Sequence, residues 1–394
     1  MPKASTTAGS DCIKWHPGHY LFTAHVRTYD SLWTNETIKK NFLGIQMKFD
    51  WGPMENQKDA YDFSQIDNVL AYMQKMNAKY NTTKRLVIQM GDKIFNGGST
   101  YEGPAYMSFD QGNTYEGGYF QADTRGGWAV KNWVPAVNDR WQKLIMQLGN
   151  RYDANPLVEG IVFSETIVHK GTGVDAGRKG GRKNNINMNQ DDDGGDVSGG
   201  GDPHTSYSGA LSNSGYDVNQ YEQIIKSNLA VAKKAFPHTV IIQYMNKFTG
   251  NDGRPATNSP ALLEDLANYA AQIGVGVGGP DLQAPGREGQ HSQAFPAFQA
   301  HAGQIPLGVA AQGSEYEQEA YTAQKLFDFG VGGNQQSYSD DITLHLNYIF
   351  WTVEDNHTVV HFTTDVVPVV NAENARINSA FPKALASDAS PCTE

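Results

Sequence analysis

The sequence has 394 residues, 39% hydrophobic and 19% charged, with a net charge of −11. This length and composition allow a sizeable core and argue against global disorder. The acidic balance argues against a general nucleic-acid binder, because phosphate affinity comes from Lys and Arg. No apolar run reaches the roughly 18 residues of a membrane-spanning helix.

The first residues, MPKASTTAGSDC, contain no apolar segment of a secretory signal. Cys12 and Cys392, near opposite ends, either form a disulfide that ties the termini together or remain free thiols. Eight short apolar runs follow in order: YLFTAHV from Tyr20, LGIQMKF from Leu43, RLVIQMG from Arg85, VEGIVFSE from Val158, TVIIQYMN from Thr239, IGVGVGG from Ile273, IPLGVAAQ from Ile305 and HLNYIFWTV from His345. None alternates strictly, which is the pattern of parallel strands covered on both faces. Amphipathic stretches lie between them. In SQIDNVLAYMQKM, Ile66, Val69, Leu70, Met73 and Met76 share one helical face, and Ser64 is the expected N-cap. NDRWQKLIMQLGNRY, YEQIIKSNLAVAKKAF, ALLEDLANYAAQI and YEQEAYTAQKLFDF read as further helices.

Eight strands alternating with helices predict an α/β fold, a (β/α)8 TIM barrel, as one domain over residues 1–394. Residues 170–217 form a long loop after the fourth strand, of the kind that is functional or disordered. The competing arrangement is a doubly wound open sheet. Against it, no G-x-G-x-x-G follows the first strand. The glycines of GVGVGGP point to close backbone or ligand approach.

Catalytic groups of such barrels sit at the C-terminal ends of strands. The acids there are Asp50, Glu55, Asp92, Glu165, Asp281, Glu315, Glu317, Glu354 and Asp355. A carboxylate ending a buried run is costly unless paired or used, which singles out Glu165. The fourth and seventh strands face each other across a barrel mouth. Glu165 and Glu315 could therefore supply the two carboxylates of glycoside hydrolysis, with Glu317 as the alternative to Glu315.

FDWGPMENQKDAYDFSQIDNVLAYMQK resembles the second-strand segment of clan A glycoside hydrolases. LGNRYDANPLVEGIVFSET is similar to the helix, loop and strand that lead into that clan's acid/base glutamate, and IPLGVAAQGSEYE stands where its nucleophile strand lies. The resemblance runs from about Tyr20 to Val353. It implies a retaining mechanism, with Glu165 as acid/base and Glu315 as nucleophile. Two departures stand out. Ser164 replaces the asparagine that in the clan binds the sugar 2-hydroxyl, and Gln312 holds the place of the strand-ending glutamate. If Gln312 occupies the nucleophile position, the chain is an atypical or inactive member.

Trp51 and Trp351, at strand ends, are candidates for sugar stacking or plain core. Tyr244, Asn246, His25, Asp92, Ser164 and Gln312 are further candidate substrate contacts. The basic loop HKGTGVDAGRKGGRK, with Arg178 and Arg182, is either a solvated loop or a recognition element for an anionic sugar. Asp191, Asp192, Asp193 and Asp196 offer oxygen ligands that would suit Ca²⁺ without EF-hand spacing. No His/Cys cluster has zinc spacing, and no other cofactor is implied. Sequons at Asn35, Asn81 and Asn356 matter only on a eukaryotic secretory route.

The resulting expectation is a glycoside hydrolase acting within a polysaccharide, outside the cell or on a cell or virion surface, with no nucleic-acid or membrane partner. The alternatives are a non-catalytic carbohydrate-binding or structural barrel, which Gln312 favours, and a polysaccharide lyase.

Overall fold

The structure is a computed structural model, and it describes residues 12–96, 103–107, 114–115, 120–122, 126–168, 211, 214–282, 293–317, 321–332, 343–387 and 389–393. In chain order the strands are β1 (Cys12–Ile13), β2 (Gly18–Thr23), β3 (Phe42–Asp50), β4 (Arg85–Gly91), β5 (Lys93–Asn96), β6 (Phe120–Ala122), β7 (Gly126–Val130), β8 (Val158–Phe163), β9 (Val240–Tyr244), β10 (Gly276–Gly279), β11 (Leu307–Ala311), β12 (Tyr348–Thr352) and β13 (Ser390–Pro391). Eight of them close into a barrel in the order β10-β11-β12-β2-β3-β4-β8-β9, and every pairing within it is parallel. These are the eight apolar runs, and the (β/α)8 architecture is as expected.

The strands form because each is buried on both faces. One face of the wall meets the helices in a large shell cluster that includes Ile45, Ile88, Ile161 and Ile241. The other face fills the barrel with Tyr20, Phe22, Val87, Val162, Ile242, Tyr244, Ala310, Tyr348 and Phe350. The sixth run is glycine-rich because β10 and β11 approach closely. A Cβ built on Gly278 would lie 1.7 Å from Gly308 O, its register partner.

Two register shifts adjust the wall. The pairing skips Leu43 between β2 and β3 and skips Glu159 between β4 and β8. Such bulges re-aim a side chain. Glu159 is thereby buried in the barrel floor, where it accepts from His16 N at 2.8 Å and Tyr348 OH at 2.8 Å and pairs with His16 Nδ1 at 2.6 Å.

Among the helices are Ser64–Tyr80, Pro135–Tyr152, Val218–Ala235, Ser259–Gln272 and Ala323–Val331. In the first, Ile66, Leu70, Met73 and Met76 are buried as the periodicity predicts, with Val69 half-buried. Ser64 is not its cap. Ser64 is already helical, and its N–H donates to Asp62 Oδ1 at 2.8 Å. β5, β6 and β7 form a small antiparallel sheet that periodicity did not reveal.

The termini meet. β1 pairs with β13, Cys392 N donates to Ile13 O at 3.0 Å, and Cys12 is disulfide-bonded to Cys392. Of the two thiol readings, the disulfide holds.

Candidate active site at the C-terminal mouth of the barrel

β8 delivers Ser164 and Glu165 to the mouth, where both are half-buried. Ser164 is pinned on both sides. Its hydroxyl donates to Met90 O at 2.7 Å beside β4, and its carbonyl accepts from Gln243 Nε2 at 2.7 Å on β9. The Glu165 carbonyl accepts from Lys93 Nζ at 2.6 Å, and the same ammonium donates to Ile167 O and Tyr221 OH, both at 3.3 Å. Its carboxylate Oε2 accepts from Asn246 Nδ2.

Asn246 is itself fixed. Its N–H donates to Thr166 Oγ1 at 2.9 Å, and its Oδ1 accepts from Lys247 N at 2.7 Å, so the amide presents nitrogen to Glu165. The sequence brought Glu165 and Asn246 forward separately, and the structure joins them. The Tyr221 hydroxyl is held protonated, its pKa raised by burial and then by the charges of Asp92 and Glu165. Lys93, Thr166 and Gln243 were missed as site residues. The one signal for Lys93 was a lysine directly after Asp92 at the end of an apolar run.

At the end of β11 the inward position falls to Gln312, two residues beyond inward-facing Ala310. Glu315 follows in the short helix Gly313–Tyr316 and folds back. Gln312 N donates to Glu315 Oε2 at 2.7 Å, closing a capping box. The fold-back places the Glu315 carboxylate at the strand terminus, but the residue is wholly buried. Glu317, half-buried, is engaged by His357 Nδ1 at 3.0 Å and by Thr358 Oγ1 at 2.9 Å.

Several candidate contacts lie elsewhere. Trp51 and Trp351 are fully buried shell residues. Trp51 donates to Glu55 Oε2 at 2.9 Å, and Trp351 donates to His19 Nδ1 at 3.0 Å. Neither presents a ring face, so the stacking role is corrected to core. Tyr244 lies inside the barrel below the mouth, donating to Gln46 Oε1 at 2.9 Å. Asp92 is buried beside a cavity of about 30 Å³ behind Ser164, too small for a sugar, and its Oδ2 accepts from Asn132 Nδ2 at 3.0 Å. His25 is exposed on the segment after β2.

Arg178, Arg182, Asp191, Asp192, Asp193 and Asp196 lie outside the described residues. Among the described residues no His/Cys/Asp/Glu group could hold a metal ion, and no helix is long and apolar enough to cross a membrane. An open cleft of about 620 Å³ lies where β2 and β12 reach the mouth, lined by Arg27, Tyr29, Glu354, Asp355 and Asn356 among others.

With this geometry in place, the comparison with solved structures is informative. The barrel is similar to the catalytic domain of a β-amylase. That protein, from Paenibacillus polymyxa, superposes with a TM-score of 0.56 at 12% identity, covering 93% of this chain and 100% of that one. An endo-glycoceramidase II from Rhodococcus sp. gives a TM-score of 0.45 at 10% identity, covering 91% and 80%. A glycoside hydrolase family 30 xylanase from Clostridium acetobutylicum gives 0.44 at 13%, covering 92% and 73%. The sequence itself matches no family model and no curated protein. These neighbours are (β/α)8 glycoside hydrolases, as the sequence resemblance implied, and at such identities the likeness speaks for the fold alone.

Proposed function

We propose that the protein hydrolyses glycosidic bonds within a polysaccharide, with Glu165 as the proton donor. The observation that carries this reading is the Glu165 carboxylate at the barrel mouth, held by Asn246 while Lys93 fixes its main chain. The fold shared with a β-amylase catalytic domain supports it. Glu165 protonates the leaving oxygen, and in a retaining route Glu315 attacks the anomeric carbon. Water then resolves the glycosyl intermediate, with Glu165 acting as base. The basic residues Arg178 and Arg182 would favour an anionic polymer.

A second reading is a carbohydrate-binding barrel without turnover. The burial of Glu315 in its capping box, with Gln312 at the inward position, favours it. Incubating the protein with a panel of neutral and anionic polysaccharides separates the readings. New reducing ends without ultraviolet absorbance mark a hydrolase, and absorbing unsaturated ends mark a lyase. Retention on one polymer without any cleavage marks the binding barrel.

A further inference from the structure

Glu315 is folded into its capping box and wholly buried, so its carboxylate meets no solvent. The closed strand order places another acid across from Glu165. β8 and β12 stand directly opposite, with β9, β10 and β11 between them on one side and β4, β3 and β2 on the other. β11 lies one place nearer to β8. Glu165 follows β8, and Glu354 follows β12.

The register of β12 favours this position. Tyr348 and Phe350 point into the barrel, while Ile349, Trp351 and Val353 join the shell. The alternation carries Thr352 and Glu354 to the inward side. The Glu354 carbonyl accepts from Phe362 N at 3.3 Å, which ties the main chain there. Its side chain is 25% exposed and lines the open cleft of about 620 Å³.

The neighbouring acids are committed elsewhere. Asp355 accepts from Thr363 N at 2.7 Å through Oδ1 and from Thr363 Oγ1 through Oδ2. The two oxygens of Glu317 are engaged by His357 Nδ1 and Thr358 Oγ1. Glu354 Oε2 lies 3.4 Å from His357 Nε2, and among the described residues no donor reaches its Oε1. Asp50, which ends β3, and Asp281, which follows β10, are each separated from β8 by a single strand. Neither therefore stands across the mouth from Glu165.

We propose that Glu354 is the catalytic base facing Glu165 and that the reaction inverts the anomeric configuration. Retaining pairs stand about 5 Å apart, whereas inverting pairs stand roughly 6.5–9.5 Å apart and leave room for a water. Strands on opposite walls suit the wider gap. Glu354 takes one proton from that water as the water oxygen bonds to the anomeric carbon. The bond from that carbon to the leaving oxygen breaks, and the leaving oxygen takes the proton of Glu165. Glu354 then releases its proton to solvent and Glu165 regains one. This inference rests on the glycosidase reading and assigns the second carboxylate to Glu354 in place of Glu315.

The test takes the polysaccharide that the wild type cleaves best and follows the anomeric configuration of the new reducing end by proton NMR during early turnover. Inversion is expected. Glu354→Gln is expected to lower kcat by about a thousandfold while still binding the polymer, and Glu315→Gln by less than about tenfold. Retention of configuration overturns the proposal, as does a folded Glu354→Gln that cleaves at the wild-type rate. The NMR readout uses the wild type, so it decides even where a variant fails to fold. If the wild type cleaves no polysaccharide, or Glu165→Gln cleaves at the wild-type rate, the glycosidase reading itself fails and takes the proposal with it.

Discussion

Asn246 Nδ2 donates to Glu165 Oε2 across the gap between β8 and β9, and the hydroxyl of Thr166 locks the asparagine backbone that makes this possible. The candidate acid is therefore oriented by a neutral donor on the neighbouring strand. Removing that donor should damage catalysis more than folding. Asn246→Ala is expected to lower kcat by about 10–100-fold with a small change in melting temperature. Asn246→Asp would set a second carboxylate against the first and raise the pKa of the donor. The basic limb of the pH–rate profile would then move to higher pH. An unmoved profile would separate Asn246 from the acid.

Lys93 is the second support. Its buried ammonium holds two main-chain carbonyls of the Glu165 turn and lies 3.8 Å from Asp92 Oδ2. Lys93→Met leaves the buried Asp92 charge without its cation, which is expected to cost about 3 kcal/mol in urea unfolding. Lys93→Met combined with Asp92→Asn should recover part of that loss. A single variant as stable as the wild type would refute the assignment.

His19 makes stability depend on pH. Burial lowers its pKa to about 3, and Trp351 Nε1 donates to its Nδ1. As pH falls below the ordinary histidine value of about 6.5, the unfolded chain takes up a proton that the folded chain refuses until about pH 3. Folded-state stability is therefore lost as pH falls through that window. Between pH 7 and 4.5 the wild type should lose roughly 2–3 kcal/mol more than His19→Phe. The variant also leaves the Trp351 N–H unpaired, a cost that is the same at both pH values. Parallel slopes for the two proteins would contradict the account.

The Cys12–Cys392 disulfide spans a sequence separation of 380 residues. By chain entropy, loss of so long a cross-link costs up to about 6 kcal/mol. Reductant, or Cys12→Ser with Cys392→Ser, is expected to lower the melting temperature by several degrees. An unchanged melting curve would mean that the β1–β13 pairing alone secures the termini.

The barrel was legible in the sequence because each strand is buried on both faces and so reads as a continuous apolar run. Glu165 was legible because a carboxylate closes one of those runs. The same continuity hides which way a side chain points. Trp51 and Trp351 stand at strand ends as predicted, yet both turn into the shell. Tyr244 likewise points into the barrel, and the bulge at Glu159 turns a carboxylate into the floor. Gln312 is not among the residues that usually cap a helix, so the fold-back of Glu315 onto the Gln312 N–H carried no such signal in the sequence. Lys93 gave little signal, because its partners are main-chain carbonyls more than 70 residues away in sequence.

The measurement that bears most directly on the central claim is reducing-end release from the best polysaccharide by wild type, Glu165→Gln and Glu315→Gln. The account predicts that Glu165→Gln loses roughly a thousandfold or more in kcat while staying folded and still binding the polymer. A comparable loss in Glu315→Gln would establish the carboxylate pair. Glu165→Gln cleaving at the wild-type rate would contradict the account.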